Sequence, residues 1–253
     1  MKPVIVRNLK VGEGKPKICV PIVGITKEDI INEAKNIRSL PVDVVEWRAD
    51  WFESVFEIYE VIDTAKELRK ILNDTPILFT FRTSKEGGKK DINLKTYAFL
   101  NMEVSKSSYI DMIDVEVFSG DDIVTDIIEK AHEYNVKVIA SNHDFQKTPE
   151  KDDMIGRLKK MDQLGADILK IAVMPQSKKD VLTLLSATLE MSEVHTEKPL
   201  ITMSMSASGV ISRFAGECFG SVLTFGAASK PSAPGQINVR DLEQVLNIVH
   251  NSL

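Results

Sequence analysis

The chain has 253 residues and a mass of 28.2 kDa, long enough to bury a large core without disulfides or a structural metal. Hydrophobic residues make up 43% and charged residues 27%, with 13 Gly and 10 Pro, which excludes a disordered or collagen-like chain. A net charge of -5 without a basic stripe points away from nucleic acid and anionic membrane surfaces.

The opening MKPVIVRNLK has no long apolar stretch and no small-residue cleavage site, so no signal peptide is expected. No later stretch approaches the ~18 uncharged apolar residues of a membrane helix. The two cysteines, Cys19 and Cys218, are too few for a disulfide framework, and their apolar settings suit buried free thiols. A cytoplasmic, reducing location is the expectation. VIVRNLKVGEG reads as a small hairpin turning near Asn8 and covering one end of the fold.

From there the sequence alternates between two periods. Short apolar or β-branched runs occupy 17–23, 42–48, 76–82, 109–118, 136–143, 166–173, 199–206 and 220–225. Between them lie helical patterns. Residues 54–72 set Val55, Ile58, Val61, Ile62, Ala65, Leu68 and Leu72 on one stripe, and residues 150–164 do the same with Met154, Ile155, Leu158, Met161 and Leu164. Asp180 opens a helix through Met191, and Asp241 another through Val249. Eight strand–helix units in this length predict an α/β fold, a (β/α)8 TIM barrel forming one domain over 1–253. The alternative is a doubly wound sheet, but GITKED (24–29) after the first run carries one Gly and no dinucleotide loop.

Side chains alternate along a strand, so parity locates the chemistry. Val45 and Trp47 oppose Glu46 and Arg48; Phe79 and Phe81 oppose Thr80 and Arg82; Ile113 and Val115 oppose Asp114 and Glu116; Leu169 and Ile171 oppose Lys170. The barrel lumen therefore collects six charges on four strands, mostly near the C-terminal ends, where these barrels carry active sites. A structural ion-pair network is the plainer reading, but charges are costly to bury, and their position favours a functional pocket.

Lys170 interrupts ILKIAV, a run otherwise suited to a parallel core. Desolvation, or a neighbouring cation such as Arg48, lowers a lysine pKa and frees an amine that can form a Schiff base with a ketone or aldehyde. His143, ending the neighbouring run in SNHDF, can shuttle protons at neutral pH. His132, His195 and His250 fall on helices or helix ends. No HxH, HExxH or CxxC pattern supports a metal site, and a protonated imine can itself act as the electron sink. RTSKEGG (82–88), with its flexible Gly pair, and GAASKPSAPGQ (226–236) are candidate substrate clamps, the second a lid over the site. Arg213, in GVISR, has the planar fork to hold a substrate carboxylate.

EWRAD (46–50), FTFRTSKEGG (79–88), DMIDVE (111–116), SNHDF with KTP (141–149), ADILKIAVMPQ (166–176), ITMSMS (201–206), GVISR (209–213) and SAPGQ (232–236), in this order, resemble the type I 3-dehydroquinate dehydratases across nearly the whole chain. The resemblance implies a homodimeric barrel without metal or organic cofactor, dehydrating 3-dehydroquinate to 3-dehydroshikimate in the shikimate pathway. It implies that Lys170 forms the imine and that His143 removes the C2 proton and helps the C1 hydroxyl leave, a net syn elimination. Glu86 would orient His143, and Arg213 would hold the carboxylate. Glu46, Arg48 and Arg82 would bind ring hydroxyls, Ser232 and Gln236 would close over the substrate, and Met203 and Met205 would line the pocket. Pro21 departs from the family, which often has serine there. Two other readings stand beside this one. A class I aldolase or transaldolase would usually carry a phosphate loop where GVISR stands, and a non-enzymatic barrel would have no need of Lys170, His143 and Arg213 together.

Overall fold

The computed structural model describes residues 1–228 and 233–253. The chain opens with an antiparallel hairpin, β1 (Val4–Val6) and β2 (Leu9–Val11), turning through Arg7 and Asn8. Eight parallel strands come next: β3 (Lys17–Ile22), β4 (Val44–Arg48), β5 (Ile77–Thr80), β6 (Met112–Glu116), β7 (Lys137–Asp144), β8 (Ile168–Val173), β9 (Leu200–Ser204) and β10 (Leu223–Ala227). Each of β3 to β8 pairs with the next in sequence, and β10 returns to pair with β3. The ring closes between β9 and β10 through a Leu200–Ser221 bridge, with Val222 N donating to Leu200 O at 2.8 Å. This is the expected (β/α)8 barrel, preceded by the expected hairpin.

The helices are α1 (Lys27–Ile37), α2 (Ile58–Leu72), α3 (Leu94–Lys106), α4 (Asp121–Glu133), α5 (Lys151–Gln163), α6 (Lys178–Glu190), the short α7 (Ile211–Phe214) and α8 (Gly216–Phe219), and α9 (Val239–His250). Their starts are written locally. Thr26 with Asp29, and Ser177 with Asp180, form reciprocal capping boxes for α1 and α6. Asp180 is thus the third helical residue of α6, and Ser177 is the cap. The buried stripes are those the periodicity gives, Val61, Ala65, Leu68 and Leu72 on α2 and Met154, Ile155, Leu158 and Met161 on α5. Among the described residues no helix is long and apolar enough to cross a membrane.

Parity holds around the barrel. Trp47, Phe79, Phe81, Val115, Leu169 and Ile171 pack against the helices, whereas Cys19, Val44, Leu78, Met112, Ile139 and Ile168 fill the lower lumen. Val6 and Val11 of the hairpin join that lower cluster, so the hairpin stoppers the N-terminal end. Cys19 is buried as expected, but Cys218 is exposed, because the short α8 lies at the surface and turns it outward.

A device repeats four times at that N-terminal end. The start of β3, β5 and β7 gives a backbone N–H to an aspartate before the following strand: Ile18 to Asp43, Ile77 to Asp111 and Val138 to Asp167, each at 2.8 Å. In the fourth unit Ser221 Oγ accepts from Thr202 N at 3.0 Å. These side chains satisfy amides that the staggered strand ends leave without a ladder partner.

Pro21 explains a local break. Lys17 N donates to Val222 O, so odd residues of β3 direct their amides toward β10. The β3–β10 ladder stops at Cys19, two residues before a proline that has no N–H to give. Above that point β10 pairs instead with the two-residue β11 (Ile237–Asn238).

Candidate active site

Lys170 enters the lumen from β8 and is 3% exposed. Its Nζ donates to Asp114 Oδ2 on β6 at 2.9 Å and lies 4.7 Å from the centroid of the Phe225 ring. The charged group bonded to it is thus a carboxylate and not Arg48, which makes a two-pronged contact with Asp50 at 2.8 Å on each prong. Asp114 Oδ1 accepts from Arg82 Nη2 and Ser141 Oγ, both at 2.6 Å. Arg82 Nη1 reaches Glu116 Oε1 at 3.0 Å, and Glu116 also takes Thr83 N and Oγ1 at 2.8 and 2.7 Å. Burial alone would raise the Asp114 carboxyl, but the Arg82 guanidinium and the Lys170 ammonium more than offset it and hold Asp114 well below the usual carboxylate range.

His143 stands two residues above Ser141 on β7, on the lumenal side. Its backbone N and its Nδ1 both meet Glu86 Oε2 at 2.9 Å, and Asn142 Nδ2 donates to Glu86 Oε1 at 3.0 Å. Glu86 sits on a 3-10 turn, Ser84–Glu86, soon after β5. The glycines next to it are there for close approach and not for flexibility. Gly87 has φ 84° with the Phe145 ring against it, and a Cβ on Gly88 would lie 1.8 Å from Arg82 O. Burial pushes Glu86 up to about 7. Burial, reinforced by the Arg82 and Lys170 cations, pushes the His143 imidazole well below its ordinary value. The imidazole is therefore neutral near pH 7. With Nδ1–H donated to Glu86, the Nε2 lone pair is left as the basic position.

Arg213, on α7, is 1% exposed. Its Nη2 donates to Pro234 O at 2.9 Å, its Nη1 lies 3.9 Å from Met203 Sδ, and its Nε has no partner among the described residues. No acidic side chain among the described residues pairs with it, and burial lowers its pKa to about 10. A buried guanidinium without an anion is costly, and an anionic ligand would relieve it.

These groups open onto one cavity. Glu46, Arg48, Arg82, Glu86, His143, Lys170, Met203, Met205, Arg213 and Gln236 all reach it, so ten of the eleven expected site residues meet there. Ser232, with Ser229, Lys230 and Pro231 of the expected lid, lies outside the described residues. Glu46 Oε1 accepts from Thr80 Oγ1 at 2.9 Å. Pro21 is buried opposite Glu46 in register and does not line this cavity. Sequence reading gave Asp114 a lumenal place but no partner, and passed over Asn142, Phe145 and Phe225. Parity carries a signal for Phe225, which shares the lumenal side with Leu223. Asn142 points to the opposite side of β7 and carries none.

A family profile described as Type I 3-dehydroquinase matches residues 18–252. A 3-dehydroquinate dehydratase of Clostridium botulinum is 54% identical over 254 residues, covering all of both chains. The chain belongs to the type I 3-dehydroquinase family. Membership makes it a hydro-lyase and sets aside the aldolase and non-enzymatic readings. The solved type I 3-dehydroquinate dehydratase of Clostridium difficile is 53% identical with a TM-score of 0.97, covering 100% of this chain and 99% of that one. A 3-dehydroquinate dehydratase structure from Geobacillus kaustophilus is 39% identical with a TM-score of 0.96, covering 99% and 97%. Family membership fits the geometry of the cavity, which a lysine, a histidine and an arginine without an acidic partner among the described residues all line.

Proposed function

We propose that the chain dehydrates 3-dehydroquinate to 3-dehydroshikimate through a Schiff base on Lys170, with net syn loss of water. The observation that carries this reading is the convergence on one cavity of a buried primary amine, a neutral imidazole with one free nitrogen, and a guanidinium without an acidic partner among the described residues. The relative from Clostridium difficile, solved with covalent modified comenic acid, supports covalent chemistry in the family.

His143 takes a proton from the Lys170 ammonium, the freed amine adds to the C3 carbonyl, and the carbinolamine hydroxyl leaves as water with the proton His143 returns, which gives a protonated imine. His143 Nε2 then takes the C2 proton, and the electron pair of that C–H bond moves onto the imine nitrogen as an enamine. The enamine expels the C1 hydroxyl, which leaves as water with the proton His143 returns. One group serving both steps from one face gives the syn outcome. Hydrolysis of the product imine consumes one water and restores the amine and the ketone, so the net change is loss of one water.

Arg213 would hold the carboxylate on C1, and its Nε, without a partner among the described residues, leaves it capacity to do so. Glu46, Arg48 and Arg82 would meet the ring hydroxyls and set the field around Lys170. Gln236, with Ser232, would close over the ring, whose faces would rest on Met203 and Met205. Asp114 would hold the Lys170 Nζ in place between turnovers. The family resemblance also supports a homodimer in the cytoplasm, which sedimentation equilibrium and cell fractionation test. The reaction itself is tested by adding 3-dehydroquinate and following the absorbance of the conjugated enone. Absence of that absorbance at saturating substrate would overturn the reading.

A further inference from the structure

Behind Glu86 the site continues into the helix layer. Arg157 lies on α5, outside the barrel, and its Nη1 donates to Asn142 Oδ1 at 2.9 Å. Its other edge pairs with Asp153, Nε to Oδ1 at 3.0 Å and Nη2 to Oδ2 at 2.9 Å, and Asp144 Oδ2 lies 3.7 Å away. The guanidinium also stacks 5.9 Å from the centroid of Phe118, which Lys160 approaches at 5.4 Å. Asn142 passes the connection inward, its Nδ2 on Glu86 Oε1 and Glu86 Oε2 on His143 Nδ1.

We propose that Arg157 is a positioning residue of the dehydratase: it fixes and polarises the Asn142 amide, which holds Glu86 as the acceptor for His143 Nδ1–H. The proposal rests on His143 being the proton carrier. A guanidinium only donates and a carboxylate only accepts, so an amide between them has one favourable orientation. Flipping Asn142 would set its oxygen against Glu86 and its NH2 against Arg157, two repulsive contacts at once. Without Arg157 the amide loses the partner of its oxygen and the polarisation that strengthens its N–H donor.

The consequence for Glu86 has a sign. An N–H donated to a carboxylate favours its ionised form, so a weakened Asn142 donor makes Glu86 easier to protonate. Protonated Glu86 no longer accepts from Nδ1 in the same way, and His143 loses its fixed tautomer. The other groups facing Glu86 are Arg82, at 3.7 Å, with Asp114 and Glu116 behind it; none of them touches Arg157. A second pocket reaches Glu86, Asn142 and His143 from the outer side, so a loosened amide also gives water a way to the carboxylate.

The test is a double-mutant cycle on the full-length enzyme with 3-dehydroquinate, read as kcat and KM against pH. Arg157→Ala should lower kcat about tenfold, the worth of one hydrogen bond, with KM little changed and the acidic limb of kcat moved to higher pH. Arg157→Lys, which restores a donor, should recover most of the loss. Arg157→Ala should add nothing in an Asn142→Ala background, because the effect travels through Asn142. Asn142→Asp keeps an acceptor for Arg157 but removes the donor to Glu86 and sets a second carboxylate against it; it should move the acidic limb upward. If Arg157→Ala does not fold, Arg157→Met, which keeps the aliphatic stem but no donor to Asn142 Oδ1, decides in its place. A wild-type kcat and pH profile in the folded variants, or losses that simply add, would overturn the proposal. A mild effect of His143→Ala would instead overturn the reading on which it rests.

Discussion

Asp111, just before β6, and Asp114, midway along it, do opposite work. Asp111 precedes the strand at the hairpin end. Its oxygens take the N–H of Ile77, the Arg7 guanidinium at 2.6 Å and the Arg69 guanidinium. All three partners belong to the scaffold, namely a strand start, the hairpin and α2. Asp114 lies further along the strand, inside the lumen, and its partners Lys170 and Arg82 both face the cavity. The difference teaches what to read into a charge in this barrel. Before the strand Asp111 satisfies a backbone amide and pins the stopper; inside the lumen Asp114 pairs with cations that line the cavity.

Variants in the two regions should separate these roles. The largest effect belongs to the cavity end: His143→Ala should lose ~10²–10⁴ in the elimination step, the range for a general acid–base group, while imine still forms on Lys170. Stopped-flow absorbance with chemical quench checks both steps. Asp114→Asn should come next. It takes from the buried Lys170 the carboxylate bonded to it, costing about 3–5 kcal/mol of stability in denaturant titration, and lowers kcat by about tenfold or more through the misplaced lysine. A smaller effect comes from pH. Glu86 titrates near 7, so kcat should fall as pH drops through about 7 and Glu86 takes up a proton; Glu86→Gln should flatten that limb. The smallest effect on turnover belongs to the other end: Asp111→Asn should cost about 1–3 kcal/mol of stability and leave kcat unchanged. A large loss of kcat in Asp111→Asn with stability intact would break the division between the regions.

The same division sets how much the sequence discloses. Strand parity works because Glu46, Arg48, Arg82, Asp114 and Lys170 share strands with large apolar residues that can only face the helices. Capping boxes at Thr26 and Ser177 and the stripe of α2 mark helices by local chemistry, so the alternation of units is legible. Partnerships across the lumen are not. Nothing in the spacing tells that Lys170 lies on Asp114 while Arg48 turns to Asp50, since that choice depends on the stagger of four strands. Asn142 is hidden for a different reason: it faces the helix layer, where parity predicts packing. Cys218 misleads because ECFG is apolar in composition but lies on a surface turn. The break in the ladder at Pro21 needs the direction of each amide, which register alone supplies.

The central claim is that the lumenal charges are arranged around a nucleophilic amine on Lys170. Borohydride added during turnover of 3-dehydroquinate tests it most directly, with peptide mass spectrometry of the product. The account predicts a reduced adduct on Lys170, loss of activity in step with its formation, and neither adduct nor turnover in Lys170→Ala. An adduct on another lysine, or turnover that survives in Lys170→Ala, would contradict it.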